Sequence, residues 1–173
     1  MLVRPRPSFA LSVFSVSLWF FFLGAASVIA QDKLPVKIGV LGLDNYQAVA
    51  YSQLFNDPKA TGDLAGLRVV AAYPIGSSDI EESVQGLPKW KEQIGSFGVE
   101  LVGSIDEMLG RCDAVMIMSL DGRTHLEQAT PVLKAGKPLY IGRPLAASLK
   151  DAVAIFELAG DLEQRGFAGV SFD

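Results

Sequence analysis

The sequence has little of two residue types that often mark a reactive site. It contains one cysteine, Cys112, and one histidine, His125, among 173 residues. A single cysteine cannot form a disulfide within the chain, even in an oxidising compartment. Cys112 follows the charged Arg111 and precedes an apolar run, which favours a buried, unreactive thiol over a reactive one. We predict neither a metal site nor an intrachain disulfide.

An excess of positive charge is absent as well. Lysine and arginine together number 15 and aspartate and glutamate 19, so the net charge is −4. The first 30 residues hold two of the arginines and no acid, so the rest of the chain carries −6. Binding to nucleic acid requires a basic face. The composition therefore predicts that nucleic acid is not a partner.

The amino-terminal segment lacks acidic residues and is strongly apolar. Arg4 and Arg6 precede an uncharged stretch over residues 7–30, with SVSLWFFFLG at its centre. Basic residues followed by an apolar run and a small-residue site are typical of a secretory signal peptide. Val28 and Ala30 fit cleavage after Ala30, which predicts an exported, periplasmic or extracytoplasmic protein. The alternative is an uncleaved membrane anchor, because the stretch is long enough to span a bilayer.

Beyond a signal peptide at residues 1–30, short apolar runs alternate with helix-like runs. Apolar runs rich in valine and isoleucine are typical of strands buried on both faces of a parallel sheet. We predict such strands at residues 36–41, 67–73, 113–118 and 138–142, with weaker candidates at 99–102 and 167–172. Strands that alternate with helices indicate an α/β fold with a doubly wound, mostly parallel sheet. Residues 36–173 would form this single domain.

Two of the predicted helices begin at capping boxes, in which a hydroxyl and an acid three residues later satisfy each other's backbone amides. The pairs are Thr124 with Glu127 and Ser148 with Asp151. The last helix also carries an apolar stripe that we assign to the core, formed by Leu149, Ala152, Val153, Phe156 and Ala159.

A turn poor in glycine follows the first strand, in the stretch VKIGVLGLDNYQ at residues 36–47. A dinucleotide-binding turn has three glycines, which let the backbone approach the diphosphate at the helix amino-terminus. Gly42 holds the first glycine position, whereas Asp44 and Gln47 stand at the second and third. A carboxylate at Asp44 would crowd and repel a diphosphate. We interpret Asp44 mainly as the cap of the first helix, the alternative being part of a cofactor pocket.

Two stretches together resemble a known enzyme family. VKIGVLG at residues 36–42 is followed by HLEQATPVLKAGKPLYIGRPLA at residues 125–146. This order resembles the amino-terminal half of the Gfo/Idh/MocA family, which includes glucose-fructose oxidoreductase and inositol dehydrogenase. The resemblance covers residues 36–173 and implies an NAD(P)-binding Rossmann domain, followed in the family by a second α/β domain that carries most of the substrate site. That second domain is missing from the sequence, so we expect a fragment, a truncated reading frame or a single-domain derivative.

The resemblance also implies where a nicotinamide cofactor would bind. The implied positions lie in the turn after the first strand, in the loop that leads to His125 and in the turn at residues 142–144: Gly42, Leu43, Asp44, Asn45, Tyr46, Ser119, Leu120, Asp121, His125, Gly142 and Pro144. The loop at residues 119–123 stands where the family often has a Thr-Pro pair that touches the cofactor. His125 begins a helix, and we expect it to serve mainly as a packed or capping side chain.

The choice between NAD and NADP stays open. Sites for NAD usually place a carboxylate at the end of the second strand for the ribose hydroxyl, and here Pro74 stands at that position. Ser77 and Ser78 could accept the 2′-phosphate of NADP, although no arginine accompanies them in the sequence. Together with Asp79, the same serines are predicted to cap the next helix.

Arg143 is the candidate catalytic residue. By the resemblance, Gly142-Arg143-Pro144 occupies the place of the family's Glu-Lys-Pro, whose lysine lies near the nicotinamide and the substrate and is thought to assist proton or hydride transfer. An arginine stays protonated near neutral pH, so Arg143 could orient a substrate oxygen but hardly act as a general acid or base. The alternative is an arginine that faces solvent before a proline turn.

Together these features predict the NAD- or NADP-binding domain of an exported Gfo/Idh/MocA-like oxidoreductase, with a sugar or polyol as substrate of the full-length form. The alternative is an exported, non-enzymatic binding or scaffold protein with a degenerate cofactor site, since fold alone does not determine function. The apolar run at residues 167–172 would leave an exposed sheet edge, which predicts self-association such as a homo-oligomer. Contact with a membrane is expected only through an uncleaved amino-terminal segment.

Overall fold

The computed structural model describes residues 34–163 and 170–172, which form a parallel sheet with helices on both faces. The strands are β1 (Val36–Leu41), β2 (Leu67–Tyr73), β3 (Glu100–Leu101), β4 (Ala114–Ile117), β5 (Leu139–Ile141) and β6 (Val170–Phe172). The helices are α1 (Tyr46–Phe55), α2 (Glu81–Ser96), α3 (Ile105–Leu109), α4 (His125–Lys134) and α5 (Leu149–Glu163), and a 3₁₀ turn (Gly62–Gly66) precedes β2.

The strand order is β3-β2-β1-β4-β5-β6, with every neighbouring pair parallel. This is the doubly wound order of a Rossmann sheet, so the predicted α/β fold class is confirmed. β1 and β2 match the predicted runs residue for residue, and β4 and β5 are each one residue shorter at both ends. The weaker candidates form the short edge strands β3 and β6.

Successive side chains of the central strands point into two separate cores. Ile38 and Val40 of β1 pack with residues of α1 and α2, whereas Leu41 packs with residues of α4 and α5. On β4, Met116 and Ile117 divide in the same way. Full burial of one such side chain stabilises the fold by about 1.5–3 kcal/mol. Burial on both faces explains why these strands are continuous apolar runs.

Of the two predicted capping boxes, only the serine half of one is formed. The Asp151 amide donates to Ser148 Oγ at 3.0 Å, and this hydroxyl donates to the Asp151 carboxylate at 2.7 Å. The prediction for Thr124 was wrong, because its hydroxyl donates to the backbone oxygen of Asp121 at 2.8 Å. Thr124 has helical dihedral angles, φ −92° and ψ −13°, whereas a capping side chain usually requires extended ones.

The assignment of the α5 stripe to the core was correct for Ala159 and wrong for its larger members. Ala159 is buried, whereas Leu149, Val153 and Phe156 are 82%, 44% and 46% exposed. Ile155, which the predicted stripe did not include, is also buried. The row of residues that meets the sheet therefore differs from the predicted one.

Cys112 is buried in the core on the α4 and α5 side, as predicted. Its burial raises the pKa of the thiol. Over residues 34–163 and 170–172, the structure has no helix that is both long and apolar enough to cross a bilayer. The predicted signal peptide at residues 1–30 lies outside the described residues.

Candidate functional site

The candidate site lies at the carboxyl ends of the strands, where β1 stands between β2 and β4. This is the point at which the strand order reverses direction, and a doubly wound sheet binds its ligands in the crevice there. The loops that follow β1, β2, β4 and β5 converge at this crevice. Most of the residues predicted for the cofactor lie in three of these four loops.

Gly42 follows β1 directly and lies where any side chain would be strained. Its φ is +88°, in the left-handed region that side chains disfavour. A β-carbon there would lie 2.5 Å from the Ser119 backbone nitrogen and 2.6 Å from its Cα, so the turn is pressed against the loop after β4. The Gly42 amide donates to the Tyr73 oxygen at 3.1 Å and the Leu43 amide to the Ile75 oxygen at 3.2 Å. The turn after β1 is thus held from both sides.

Asp44 is completely buried and directs its carboxylate away from α1. One oxygen accepts from the Leu120 amide at 3.0 Å and the other from the Ser83 hydroxyl at 2.8 Å. The prediction that Asp44 caps α1 was wrong. Asn45 caps the helix, with its side-chain oxygen accepting from the Gln47 amide at 2.8 Å. Asp44 instead joins the loop after β4 to the first turn of α2.

The loop after β2 crosses to the loop after β4 and bonds to it. The Ser77 hydroxyl donates to Asp121 at 2.7 Å, and the Ser77 amide donates to Ser83 Oγ at 2.8 Å. The prediction that Ser77, Ser78 and Asp79 cap α2 was wrong, because the residue before the helix is Ile80, whose side chain accepts no hydrogen bond. Ser77 and Asp79 are used for contacts between loops instead.

Arg123 completes these contacts. Its Nε lies 2.9 Å from both carboxylate oxygens of Asp121, and its Nη2 lies 2.7 Å from Asp121 and 2.8 Å from Asp79. The guanidinium, aided by the Ser77 hydroxyl, holds the pKa of the buried Asp121 carboxyl well below its usual range. Arg123 also lowers the pKa of the exposed Asp79, and the two carboxylates raise the pKa of Arg123 in return.

We name the resulting network the crevice bridge, formed by Asp44, Ser77, Asp79, Ser83, Asp121 and Arg123. It joins the loops after β1, β2 and β4 through side chains at the mouth of the crevice. Among the described residues, every buried side-chain nitrogen and oxygen has a hydrogen-bond partner. The polar atoms of the bridge thus satisfy one another.

His125 is buried and ties the loop after β4 to the turn after β5. Its Nε2 lies 2.9 Å from the Ser119 oxygen and its Nδ1 lies 3.1 Å from the Leu145 oxygen. A neutral imidazole donates to one of these oxygens and an imidazolium donates to both. The Ser119 hydroxyl donates to Gln128 at 3.0 Å. His125 is therefore packed, as expected, and its contact with a cofactor stays a prediction.

The turn after β5 is built differently. The buried Gly142 donates its amide to the Ile117 oxygen at 2.9 Å, which continues the pairing with β4. Arg143 and Pro144 are exposed, and the bond between them is cis. A β-carbon on Gly142 would meet its nearest neighbour at 3.4 Å, so this position has room for a side chain.

The structure brings the predicted site residues together only in part. The buried ones sit at the carboxyl ends of β1, β4 and β5, whereas Tyr46 at the start of α1 is 64% exposed. Sequence reasoning missed Ser83 and Arg123. An arginine two residues from Asp121 was a usable signal, because the pair can form at close range. Ser83 gave no signal, since its role depends on where α2 begins.

The fit of a dinucleotide to this crevice is mixed. Gly42 and the amino-terminus of α1, whose first turn carries no acid, suit a diphosphate. The Leu120 amide and the Ser119 oxygen, which could touch a cofactor, are already bonded to Asp44 and His125. The bond between Ser77 and Asp121 joins the loop after β2 to the loop after β4. A dinucleotide therefore fits the turn but not the bridged crevice.

Comparison with known proteins identifies related sequences. The family model for an oxidoreductase family with an NAD-binding Rossmann fold, Gfo/Idh/MocA, matches residues 36–169. Two inositol 2-dehydrogenases from strains of Cereibacter sphaeroides are 29% and 30% identical to the chain over 102 and 94 residues. These matches cover 59% and 54% of the chain but only 28% and 25% of the dehydrogenases.

Solved structures share the fold at lower identity. A scyllo-inositol dehydrogenase from Lactobacillus casei with bound NAD(H) and scyllo-inositol superposes with a TM-score of 0.54 at 20% identity, over 80% of this chain and 36% of that one. An oxidoreductase from Agrobacterium radiobacter in complex with NAD+, L-tartaric acid and magnesium gives 0.58 at 19% identity, over 79% and 34%. The chain thus spans about a third of these structures.

Proposed function

The chain belongs to the Gfo/Idh/MocA family of oxidoreductases with an NAD-binding Rossmann fold, and we propose that it supplies the nucleotide-binding domain of an enzyme that oxidises or reduces a sugar or polyol. The observation that carries this proposal is the turn at Gly42, which lies at the switch point of the sheet with a positive φ. The matched inositol 2-dehydrogenases support a polyol as the substrate class.

In this proposal each loop has a distinct task. The backbone around Asn45 and Tyr46, at the amino-terminus of α1, would hold the diphosphate. The turn at residues 142–144 would border the nicotinamide, which supplies hydride transfer when bound. Arg143 would orient a substrate oxygen, since its guanidinium keeps its proton and can donate several hydrogen bonds. Proton transfer would then need a group other than Arg143.

Titration with NAD, NADH, NADP and NADPH tests the cofactor part of the proposal. We expect saturable binding of at least one of the four by calorimetry. Tyr46→Asp places a negative charge at the start of α1 and should weaken this binding at least tenfold. Gln53→Asp adds the same charge to an exposed position later in the helix and serves as the matched control. No binding at millimolar concentration would remove the enzymatic proposal for this chain.

A second candidate function is an exported binding or scaffold protein without a cofactor. The observation that favours it is the crevice bridge, which holds three carboxylates and one guanidinium in the loops around the turn after β1. This excess of negative charge disfavours a diphosphate. A glycan or a protein would then be the ligand. If wild type binds no dinucleotide but Asp44→Gly combined with Gln47→Gly does, the cofactor site was lost by substitution and this candidate is supported.

Export and self-association remain part of the proposal. The charge pattern of residues 1–30 supports a cleaved signal, and mass spectrometry of the chain from an extracytoplasmic fraction should give an amino-terminus at Gln31. An intact amino-terminus in the membrane fraction would favour the anchor instead. Light scattering at several concentrations checks association, and a monodisperse monomer throughout would contradict it.

A further inference from the structure

We propose that the crevice bridge is a latch that holds the dinucleotide crevice shut, so that a dinucleotide enters only after the loop after β2 separates from the loop after β4. This inference deepens the proposed function and rests on it for the identity of the ligand. The latch itself rests on contacts among this chain's own residues.

The crevice bridge joins two loops between which a dinucleotide would have to lie. At the switch point of a doubly wound sheet, a dinucleotide runs from the end of β2, across the turn after β1, toward the ends of the strands on the other side. Ser77 and Asp79 in the loop after β2 bond directly to Asp121 and Arg123 in the loop after β4. These bonds hold the two loops together at 2.7 and 2.8 Å, so a ligand that has to lie between the loops and the bonds themselves exclude each other.

The residues of the crevice bridge differ in how deeply they are buried. Asp44, Ser83 and Asp121 are buried, at 0%, 1% and 7% exposure. Asp79 and Arg123 have side chains that are 62% and 54% exposed. Charge-assisted bonds are stronger when water is excluded. The bridge should therefore break first at Asp79 and Ser77, and the loop after β2 should be the part that moves.

The crevice bridge also carries more negative than positive charge. Asp79 and Asp121 share the guanidinium of Arg123. Asp44 is joined to them through Ser83 and Ser77. The bridge thus holds three carboxylates and one guanidinium, an excess of negative charge. A diphosphate brought to the closed crevice would meet this charge at close range. When only a small fraction of molecules is open, the apparent dissociation constant of the ligand rises by the inverse of that fraction. The latch thus lowers the apparent affinity for a dinucleotide, even though the turn after β1 suits a diphosphate.

Ser77→Ala is the variant that tests the latch. It removes the hydroxyl that crosses to Asp121 but leaves Asp44, Gly42 and the start of α1 unchanged. Calorimetry with NADH on the full purified chain should give a dissociation constant at least tenfold lower for Ser77→Ala than for wild type. Ser96→Ala, at the exposed far end of α2, removes the same hydroxyl elsewhere and should bind NADH as wild type does.

Hydrogen exchange gives a readout that needs no cofactor. In the ligand-free chain, Ser77→Ala should speed the exchange of amides at residues 75–80 and 119–124 at least fivefold, and Ser96→Ala should not. Circular dichroism confirms that both variants fold. Faster exchange together with tighter NADH binding supports the latch.

These experiments distinguish a failure of the latch from a failure of the proposed nucleotide-binding function. If wild type and Ser77→Ala bind NADH equally well, the latch is wrong and the nucleotide-binding function stands. If exchange in the two loops is the same in Ser77→Ala and wild type, the bridge does not hold the loops together and the latch is again wrong. If the loops are released but no variant binds NADH or NADPH at millimolar concentration, both the latch and the proposed cofactor function are overturned.

Discussion

The turn after β1 and the turn after β5 are two places where the resemblance predicts departures from the family's motifs, yet the two turns are built differently. In the first turn Asp44 is fully buried, and both of its carboxylate oxygens accept hydrogen bonds from other loops. In the second turn Arg143 is exposed. A changed residue has become part of the folded core in one place and a surface group in the other.

The two glycines that begin these turns show the same contrast. A β-carbon on Gly42 would collide with the backbone of Ser119, whereas one on Gly142 would make contacts no closer than 3.4 Å. A turn that is packed against other loops, as at Gly42, tolerates few substitutions. A turn at the rim of the crevice, as at Gly142, tolerates more of them.

The largest expected effect is that of Gly42→Ala. The new methyl group would have to displace Ser119, and the φ of +88° would become strained, so we expect a loss of about 3 kcal/mol or more. Gly142→Ala is the matched control and should cost less than about 1 kcal/mol. Urea denaturation measures both. Equal losses for the two variants would remove the contrast between the turns.

The next largest effect is expected for Asp44→Ala. This change leaves the buried Leu120 amide and the Ser83 hydroxyl without their acceptor, which should cost about 2–4 kcal/mol. Asp44→Asn keeps one carbonyl oxygen for the Leu120 amide and should cost about half as much. The same denaturation experiment applies. A neutral effect of Asp44→Ala would show that the loops do not depend on its carboxylate.

A smaller effect is expected for His125→Phe, which removes the side chain that links the loop after β4 to the turn after β5. The ring would keep its packing, but the polar contacts of its two nitrogens with the Ser119 and Leu145 oxygens would be lost, at a cost of about 1–3 kcal/mol. Amide exchange should rise in both the loop after β4 and the turn after β5. If it rises in only one of them, His125 does not couple the two turns.

Acid should weaken the crevice bridge, through Asp121 in the loop after β4. The pKa of Asp121 is lowered in the folded chain by Arg123, so its contribution to stability is present above the unfolded value of about 3.9 and is lost as the pH falls below it. Asp121→Asn removes this contribution at neutral pH and should flatten the stability curve between about pH 5 and pH 2. A curve that falls as steeply as that of wild type would contradict the assignment.

The smallest effect is expected for Arg143→Ala. The side chain is exposed, and surface substitutions usually change stability by less than about 0.5 kcal/mol. In a full-length enzyme with a polyol substrate, the same variant should raise KM or lower kcat, and Arg143→Lys should restore part of the activity. A large loss of stability on Arg143→Ala would show that Arg143 supports the fold as the buried Asp44 does, and it would contradict the contrast between the two turns.

The fold could be predicted because burial on both sheet faces leaves a local signal. β1 and β2 are continuous runs of apolar residues, and their bounds follow from composition alone. The edge strands β3 and β6 pair on one side only, so their signal was weak. The stripe on α5 was wrong for its larger members because several apolar residues were available and periodicity does not say which row meets the sheet.

The site could be predicted in position but not in connectivity. Residues that follow a strand must lie at its carboxyl end, so Gly42, Ser119 and Gly142 were placed correctly at the crevice. The partners of Asp44 are 39 and 76 residues away along the chain, and no local pattern predicts such pairs. Local propensity favoured a cap at Asp44, and the tertiary contacts outweighed it.

The burial of Asp44 also limits which substitutions the turn can accept. A residue without a side-chain oxygen at this position, glycine included, leaves the Leu120 amide and the Ser83 hydroxyl without their acceptor. Protein engineering that aims at a glycine-rich turn here would therefore have to add stabilising substitutions elsewhere in the chain first.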